Sequence, residues 1–218
     1  MKLWIFGQSM SLPHGVDESQ GWPYLLSQRL GIEYKNFAEQ AADNLFIYHT
    51  LLENLPQIAV NDLVIVGWSH PSRKSFVLDE TNPAHLGVLS YSLKYTTPTH
   101  TFFRSANAAP SDRTKWLDLR PRRTGNTYYD VWFDNYYSEH EQRCNFQSYL
   151  DSVQLRCTAQ YIPFYFSRES VDRIVRQNDN FMLEFVMDNH VAIGVDDLHL
   201  NAHGHEMWAD YLLGQLQQ

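Results

Sequence analysis

The chain has 218 residues, a formal net charge of -8 and a hydrophobic fraction of 44%. A chain of this size and composition can bury a substantial core, which argues against intrinsic disorder. The acidic balance argues against general binding to nucleic acids and against docking on anionic membranes. The length favours one domain covering residues 1–218.

Two features of the sequence bear on where the protein works. No apolar stretch is long enough to span a bilayer, and the first one, at residues 3–6, is too short for the core of a signal peptide. The two cysteines, Cys144 and Cys157, are expected to be free thiols, as in a reducing compartment, with a disulfide between them as the alternative. We therefore expect a cytoplasmic protein without a membrane partner.

Strand and helix patterns alternate along the first third of the chain. The apolar residues 2–6 end at Gly7, which predicts a buried strand. The elements predicted next are a helix over 21–30, a strand over 32–37, a helix over 43–55 and a strand over 62–68. This alternation is typical of an α/β fold with a parallel sheet.

The residues from 71 to about 140 interrupt this alternation. They contain clusters of Pro, Ser, Thr and Asn but no long periodic run, so we expect an inserted cap built from short elements. Within it, residues 104–123 are rich in arginine and residues 128–137 are rich in aromatic side chains. The later predicted elements are one or two helices over 131–158, a strand over 161–166, a helix over 170–177, a short helix or strand over 181–187 and a helix over 203–216.

Polar segments follow predicted strands or begin the last predicted helix at four places. These segments are Gly7-Gln8-Ser9, residues 36–41, residues 67–70 and residues 196–199. In open parallel sheets, ligands bind beyond the carboxyl ends of the strands, so we expect all four segments at one rim. The first and the last supply a serine, a histidine and carboxylates, which together can make a serine oxygen nucleophilic.

In this order, the four segments resemble the sequence blocks of the SGNH hydrolases of the GDSL esterase/lipase superfamily. Gly7-Gln8-Ser9 corresponds to the family's Gly-Asp-Ser, and Asn36 begins the second block. Gly67-Trp68-Ser69-His70 corresponds to Gly-x-Asn-Asp, and residues 196–199 correspond to Asp-x-x-His. The resemblance implies a three-layer α/β/α sandwich with a parallel, flavodoxin-like sheet, into which the cap is inserted.

The resemblance also implies roles for the site residues. Ser9 would be the nucleophile, His199 the general base and Asp196 the carboxylate that holds the imidazole. Asp197 is the rival carboxylate, and the family spacing favours Asp196. No cofactor and no metal ion is expected in the reaction.

An oxyanion hole is implied at the same rim. Two of its donors would be the backbone N–H groups of Ser9 and Ala41, with alanine standing where the family has glycine. Ser69 replaces the asparagine whose amide is the third donor, so the Ser69 hydroxyl or the neighbouring His70 would serve instead. Gln8 replaces the family aspartate beside the nucleophile, which removes a charge but leaves the mechanism possible.

Two residues of the third block are candidates for substrate binding. Trp68 would be either a wall of the pocket or a packing residue, and Arg73 lies five residues further on. The segment from 67 to 73 resembles a variant of this block in phage-encoded members. We therefore expect a bacteriophage origin, in which case the protein would be released from the cell or carried on the virion.

The expected activity is hydrolysis of an acyl ester, such as an O-acetyl group on a bacterial carbohydrate, through an acyl-enzyme. The aromatic and basic residues of the insertion favour a carbohydrate over a lipid or thioester acyl chain. Two other classes of function stay open. One is a non-catalytic, virion-associated carbohydrate-binding module, and the other is a metal-dependent hydrolase that uses His199, His203 and His205.

Overall fold

Ten strands and five α-helices make up the regular structure of the described residues. The computed structural model describes residues 1–40, 42–71, 74–77, 102–103, 116–119, 138–168, 180–194 and 197–217. The strands are β1 (Leu3–Gly7), β2 (Tyr34–Asn36), β3 (Leu63–Trp68), β4 (Lys74–Val77), β5 (Phe102–Phe103), β6 (Trp116–Leu119), β7 (Gln160–Tyr165), β8 (Asn180–Phe181), β9 (Ala192–Gly194) and β10 (Asp197–Leu200). The helices are α1 (Trp22–Leu30), α2 (Asn44–Asn54), α3 (Glu139–Arg156), α4 (Met182–Asp188) and α5 (Ala202–Leu216).

Five strands form a parallel central sheet in the order β2-β1-β3-β7-β8. This is the order of a flavodoxin-like sheet, in which the chain reverses its direction of winding beside β1. Ligands of such sheets bind at that switch point, beyond the carboxyl ends of the strands. The prediction of a parallel, flavodoxin-like sheet is confirmed.

Helices cover both faces of this sheet because side chains alternate along the buried strands. In β1, Trp4 and Phe6 pack in the cluster that includes the apolar residues of α2 and α3. Leu3 and Ile5 point the other way, into the cluster formed with α1, α4 and α5. The fold is therefore the predicted three-layer α/β/α sandwich.

Local signals fix the ends of the helices near the sheet. Pro23 lies in the first turn of α1, and Gly31 ends that helix with a φ of 65°, a conformation that favours glycine. Asp43 caps α2 by accepting a hydrogen bond from the Phe46 N–H. Asn201 caps α5 in the same way through the Gly204 N–H. These caps explain why the predicted helix ends agree with the observed ones to within a residue or two.

The last block has a different local structure from the predicted one. The sequence places residues 196–199 at the start of the final helix, whereas residues 197–200 form β10, which pairs antiparallel with β9. Asn201 then begins α5. This hairpin directs the side chains of the block, and it determines which carboxylate reaches His199.

Only parts of the predicted insertion belong to the described residues. Within 71–140, β4, β6 and β5 form an antiparallel three-stranded sheet, in that order. Most of the basic segment 104–123, all of the aromatic segment 128–137 and the predicted helix over 170–177 lie outside the described residues. In the described parts of the chain, no helix combines the length and the apolar character needed to cross a membrane.

His205 joins the first and last helices from a buried position. Its Nδ1 accepts a hydrogen bond from the Trp22 N–H at 3.2 Å, and burial lowers the pKa of His205 to about 4. The unfolded chain takes up this proton near pH 6.5, so protons favour the unfolded state between about pH 6.5 and pH 4.

We expect the free energy of unfolding to fall by about 2 kcal/mol between pH 7 and pH 5 through His205. Urea denaturation at the two pH values measures the difference. The variant His205→Asn keeps an acceptor near the position of Nδ1 but does not titrate, so it should lose most of this pH dependence. The exposed His203, on the same helix, provides the control, because His203→Asn should retain the dependence. If the free energy of unfolding changed equally between pH 7 and pH 5 in wild type and His205→Asn, His205 would not be the source of the pH dependence.

Candidate active site

Ser9 lies in a single 3₁₀ turn, Ser9–Ser11, that follows β1 directly. The turn packs closely against the end of the sheet. A Cβ on Gly7 would clash with Ser11 Oγ, and a Cβ on Gly67 would lie 2.8 Å from the same oxygen. Gly7 and Gly67 are direct partners across β1 and β3. Two paired glycines therefore leave the room in which the turn carrying Ser9 can form.

His199 brings the last block of the chain onto this turn. Its Nε2 lies 2.8 Å from Ser9 Oγ, although the two residues are 190 positions apart in the sequence. Its Nδ1 lies 2.6 Å from Asp197 Oδ1. A hydrogen-bonded chain thus connects a hydroxyl, an imidazole and a carboxylate at the carboxyl end of β1.

The carboxylate bound to His199 is that of Asp197, the residue that the sequence analysis ranks second. Asp196 lies outside the described residues. The reason for the difference is the strand β10, where the extended chain places residues two apart on one side, although the register with β9 shifts between Asp197 and Leu200. Asp197 and His199 therefore meet side by side, while the favoured spacing of three assumes a turn. The assignment of the carboxylate passes from Asp196 to Asp197.

Asp197 determines which nitrogen of the neutral His199 ring carries the proton. Its Oδ1 also accepts the His199 backbone N–H at 3.1 Å, and these two hydrogen bonds lower the pKa of the Asp197 carboxyl below its usual range. An ionised carboxylate only accepts, so His199 Nδ1 carries the proton that it donates. In the neutral ring, Nε2 then presents its lone pair to Ser9 Oγ.

Gln8 also contacts the Ser9 hydroxyl. Its side chain is buried, and its Oε1 lies 2.8 Å from Ser9 Oγ. Its Nε2 is also buried and has no hydrogen-bond partner within the described residues. Ser9 carries one hydroxyl proton, so it cannot donate to both Gln8 Oε1 and His199 Nε2. This conflict bears on the orientation of the Gln8 carboxamide.

Asn36, which begins the second block, ties the nucleophile turn to the neighbouring loop. Its Nδ2 donates to the Ser11 carbonyl at 2.8 Å, and its Oδ1 accepts from the Ala38 N–H at 2.9 Å. This loop leads to Ala41, which lies outside the described residues, as does Arg73. Asn36 therefore couples the position of Ser9 to the segment from which a backbone oxyanion donor is predicted.

Asn44 holds the third block in place, a role that the sequence analysis missed. Its Oδ1 accepts from the Ser69 N–H at 2.7 Å, and its Nδ2 donates to the Ser69 carbonyl at 3.0 Å. The Ser69 Oγ is buried without a hydrogen-bond partner among the described residues. His70 is half-buried and meets the Phe166 ring edge-on, at 6.5 Å between centroids. The oxyanion roles of Ser69 and His70 stay predictions.

Trp68 is a core residue, which agrees with the packing alternative and not with a wall of the pocket. Its side chain is 0% exposed. The ring packs edge-on against Phe146 at 5.4 Å, and its Nε1 donates to the Tyr161 hydroxyl at 2.9 Å. The alternation of β3 turns this side chain towards α3 and away from the rim.

His14 is a second histidine at the site that the sequence analysis did not single out. Its ring stacks on that of His199, with centroids 4.1 Å apart and planes 26° apart. Its Nε2 lies 3.6 Å from Asp197 Oδ2. Its position in the sequence could have identified it, because His14 follows the nucleophile turn after β1, at the rim where ligands of such sheets bind.

The three histidines of the alternative metal site do not converge. His203 is exposed and lies 3.9 Å from Glu206, whereas His205 is buried against Trp22. In the described parts of the chain, the potential metal ligands that meet are instead His14, Asp197 and His199. The proposed set of His199, His203 and His205 is therefore wrong.

No protein-family model matches this sequence, and no curated protein is significantly similar to it. Solved structures are similar in fold. The psychrotrophic esterase EstA from Pseudoalteromonas sp., inhibited by monoethylphosphonate, aligns with a TM-score of 0.51 at 13% identity, over 99% of this chain and 96% of its own. The structure of TesA aligns with a TM-score of 0.54 at 14% identity, over 99% and 98%.

This chain has the fold of these two structures. At identities this low, the structural similarity establishes the fold, and the function must be argued from the residues of the site. In this fold, the described site residues come from the ends of β1, β2 and β3 and from the β9–β10 hairpin. These are the four segments that the sequence analysis placed at one rim.

Proposed function

We propose that the protein is a serine esterase that hydrolyses a small acyl ester through an acyl-enzyme on Ser9. The observation that carries this proposal is the hydrogen-bonded chain at the rim of the sheet. It runs from Ser9 Oγ to His199 Nε2 at 2.8 Å and from His199 Nδ1 to Asp197 at 2.6 Å. Distances in this range are those required for proton transfer between a nucleophile and its base.

Each residue has a defined step in this mechanism. His199 Nε2 accepts the hydroxyl proton as Ser9 Oγ attacks the ester carbonyl carbon, and Asp197 stabilises the imidazolium. His199 then protonates the leaving alcohol as the ester C–O bond breaks. A water molecule, deprotonated by His199, attacks the acyl-serine. The acid is released, and the proton returns to Ser9.

The oxyanion formed in each half-reaction needs fixed donors. We assign the backbone N–H groups of Ser9 and Ala41 as two of them, with the Ser69 hydroxyl or His70 in place of the third. Removal of one such donor typically costs about 3 to 4 kcal/mol of barrier. The double hydrogen bond from Asn44 to Ser69 supports a preorganised third block.

Gln8 completes the arrangement when its carboxamide is turned so that Nε2 faces Ser9. The oxygen and nitrogen of an amide are assigned from their hydrogen bonds, and exchange of the two removes the competition for the Ser9 proton. Gln8 Nε2 then donates to Ser9 Oγ, and the Ser9 proton is free to face His199 Nε2. In this orientation Gln8 positions the nucleophile by donating a hydrogen bond to Ser9 Oγ. An ionised aspartate has no proton to donate and could not make this hydrogen bond.

The variant Gln8→Glu tests this orientation. A carboxylate accepts but does not donate, so it should compete with His199 for the Ser9 proton and lower kcat/KM by about 10- to 100-fold. The added charge favours the protonated imidazole, so the pH of half-maximal kcat/KM should rise. Gln28→Glu, on the exposed face of α1, is the matched control and should change neither quantity. A wild-type pH profile in Gln8→Glu would overturn the donor assignment.

The substrate that we propose is a short acyl ester on a carbohydrate, with O-acetyl as the leading candidate. The support comes from the sequence of the insertion, where aromatic side chains suit stacking on sugar rings and arginines suit an acidic polysaccharide. A bacteriophage origin fits such a substrate, because bacterial surface polysaccharides carry acyl groups that a phage enzyme would meet.

A substrate series separates this proposal from its alternatives. Release of acetate from an acetylated polysaccharide and hydrolysis of p-nitrophenyl acetate are the expected activities, and a chelator should not lower either. Higher kcat/KM for a long-chain p-nitrophenyl ester or an acyl thioester would favour lipid or thioester substrates. Failure to hydrolyse any ester, together with binding to the polysaccharide, would favour the non-catalytic module.

A further inference from the structure

Three side chains that commonly ligate metals meet beside Ser9. His14 Nε2 lies 3.6 Å from Asp197 Oδ2, and His199 Nδ1 lies 2.6 Å from Asp197 Oδ1. One ligand atom of each residue lies within 4.8 Å of the other two. The stacked rings therefore present two nitrogens to the two oxygens of one carboxylate.

This spacing suits a single small ion. Ligands about 2.0 to 2.2 Å from a tetrahedral zinc ion stand about 3.4 Å from one another. The His14–Asp197 separation of 3.6 Å is close to that value before any movement. All three side chains are partly exposed, at 38%, 39% and 25% for His14, Asp197 and His199, so an ion can enter from solvent.

The donor set also indicates the class of ion. Two imidazoles and one carboxylate suit Zn²⁺ and the neighbouring transition metals, with water in a fourth position. Mg²⁺ and Ca²⁺ prefer sites made of oxygen ligands and are disfavoured here. These three ligands would therefore favour a transition-metal ion over Mg²⁺ and Ca²⁺.

We propose that His14, Asp197 and His199 form an inhibitory site for a divalent transition-metal ion. An ion on His199 Nδ1 needs the lone pair there, so the proton of the neutral ring moves to Nε2. Nε2 then donates to Ser9 Oγ and can no longer accept its proton. One proton stays on the ring throughout, and the ion takes the position of the Nδ1–H···Asp197 hydrogen bond.

His14 is the residue that makes this pair into a metal site. Without His14, His199 and Asp197 offer only two ligands to an ion and form an ordinary imidazole–carboxylate hydrogen bond. The inhibition rests on the proposed esterase mechanism, whereas binding of the ion depends only on the three side chains. The two parts can therefore be tested separately.

The binding test uses Co²⁺ in the full chain, with its visible absorption as the readout of a four-coordinate site. Cys144 lies 3.7 Å from His140 on α3 and offers a competing thiolate site, so all proteins carry Cys144→Ser. We expect a Co²⁺ spectrum without thiolate bands in the parent and its loss in His14→Gln. His203→Gln, which alters an exposed histidine beside a carboxylate, is the matched control and should keep the spectrum.

The activity test measures the Zn²⁺ concentration that halves the rate of p-nitrophenyl acetate hydrolysis. The rate of each variant is compared with its own rate without metal. We expect reversible inhibition, relieved by EDTA, and an increase of this concentration by at least about 10-fold in His14→Gln. Equal spectra and equal Zn²⁺ sensitivity in the parent and His14→Gln would overturn the proposal. An inactive protein whose Co²⁺ spectrum depends on His14 would retain the metal site while the esterase proposal fails.

Discussion

Replacement of Ser9 by alanine is expected to lower kcat/KM for p-nitrophenyl acetate by about 10⁴-fold or more. The variant keeps the turn after β1 but loses the Oγ that lies 2.8 Å from His199 Nε2. Without Oγ no acyl-enzyme forms, and water attack within the site is the only route left. Steady-state kinetics with purified wild type and variant measure the loss.

Ser11→Ala is the matched control for this experiment. Ser11 lies in the same turn, is fully buried and has an Oγ with no hydrogen-bond partner among the described residues. Removing that hydroxyl should leave kcat/KM within about threefold, since no donor or acceptor loses a partner. Comparable losses in both variants would point to damage of the turn and would count against Ser9 as the nucleophile.

The second large effect is expected from Asp197→Asn, with a fall in kcat of about 10⁴-fold. Asparagine preserves the size of the side chain but can present an N–H to His199 Nδ1. The ring would then carry its proton on Nε2, where it cannot accept from Ser9. The loss should appear in kcat more than in KM, because the ester does not need this carboxylate for binding.

Asp196→Asn decides between the two adjacent carboxylates. Since His199 Nδ1 binds Asp197 at 2.6 Å, Asp196→Asn should change kcat by no more than about threefold. Both variants remove one charge from the same segment, so their difference isolates the hydrogen bond. A larger loss in Asp196→Asn than in Asp197→Asn would restore the carboxylate assignment that the sequence spacing favours.

The fold could be predicted because short apolar strands and capped helices leave local marks in the sequence. Residues 63–66 are an uninterrupted apolar run, as expected of a strand buried on both faces. Asp43 and Gly31 mark a helix start and a helix end through their own chemistry. The position of Ser9 at the rim followed from the topology, since parallel strands bring their carboxyl ends to one rim. His199 lies instead on the antiparallel β9–β10 hairpin, and its placement at that rim rested on the resemblance of the sequence blocks.

The directions of the side chains at the site could not be predicted from the sequence in this way. The choice of Asp197 depends on an extended β10, whose antiparallel pairing with β9 is a tertiary contact. The stacking of His14 on His199 joins residues from opposite ends of the chain. Trp68 is the last residue of β3 and was a candidate wall of the pocket, yet the alternation of the strand buries it. Each error concerns the direction of a side chain, which sequence spacing alone does not determine.

Covalent labelling by a fluorophosphonate measures directly whether Ser9 is a nucleophile. The reagent transfers a phosphonyl group to an activated serine, and peptide mass spectrometry locates the adduct. We expect one adduct per chain, on the peptide that contains Ser9, no adduct in Ser9→Ala and much slower labelling in Asp197→Asn. An adduct on another residue, or a folded wild-type protein that stays unlabelled, would contradict a Ser9–His199–Asp197 esterase.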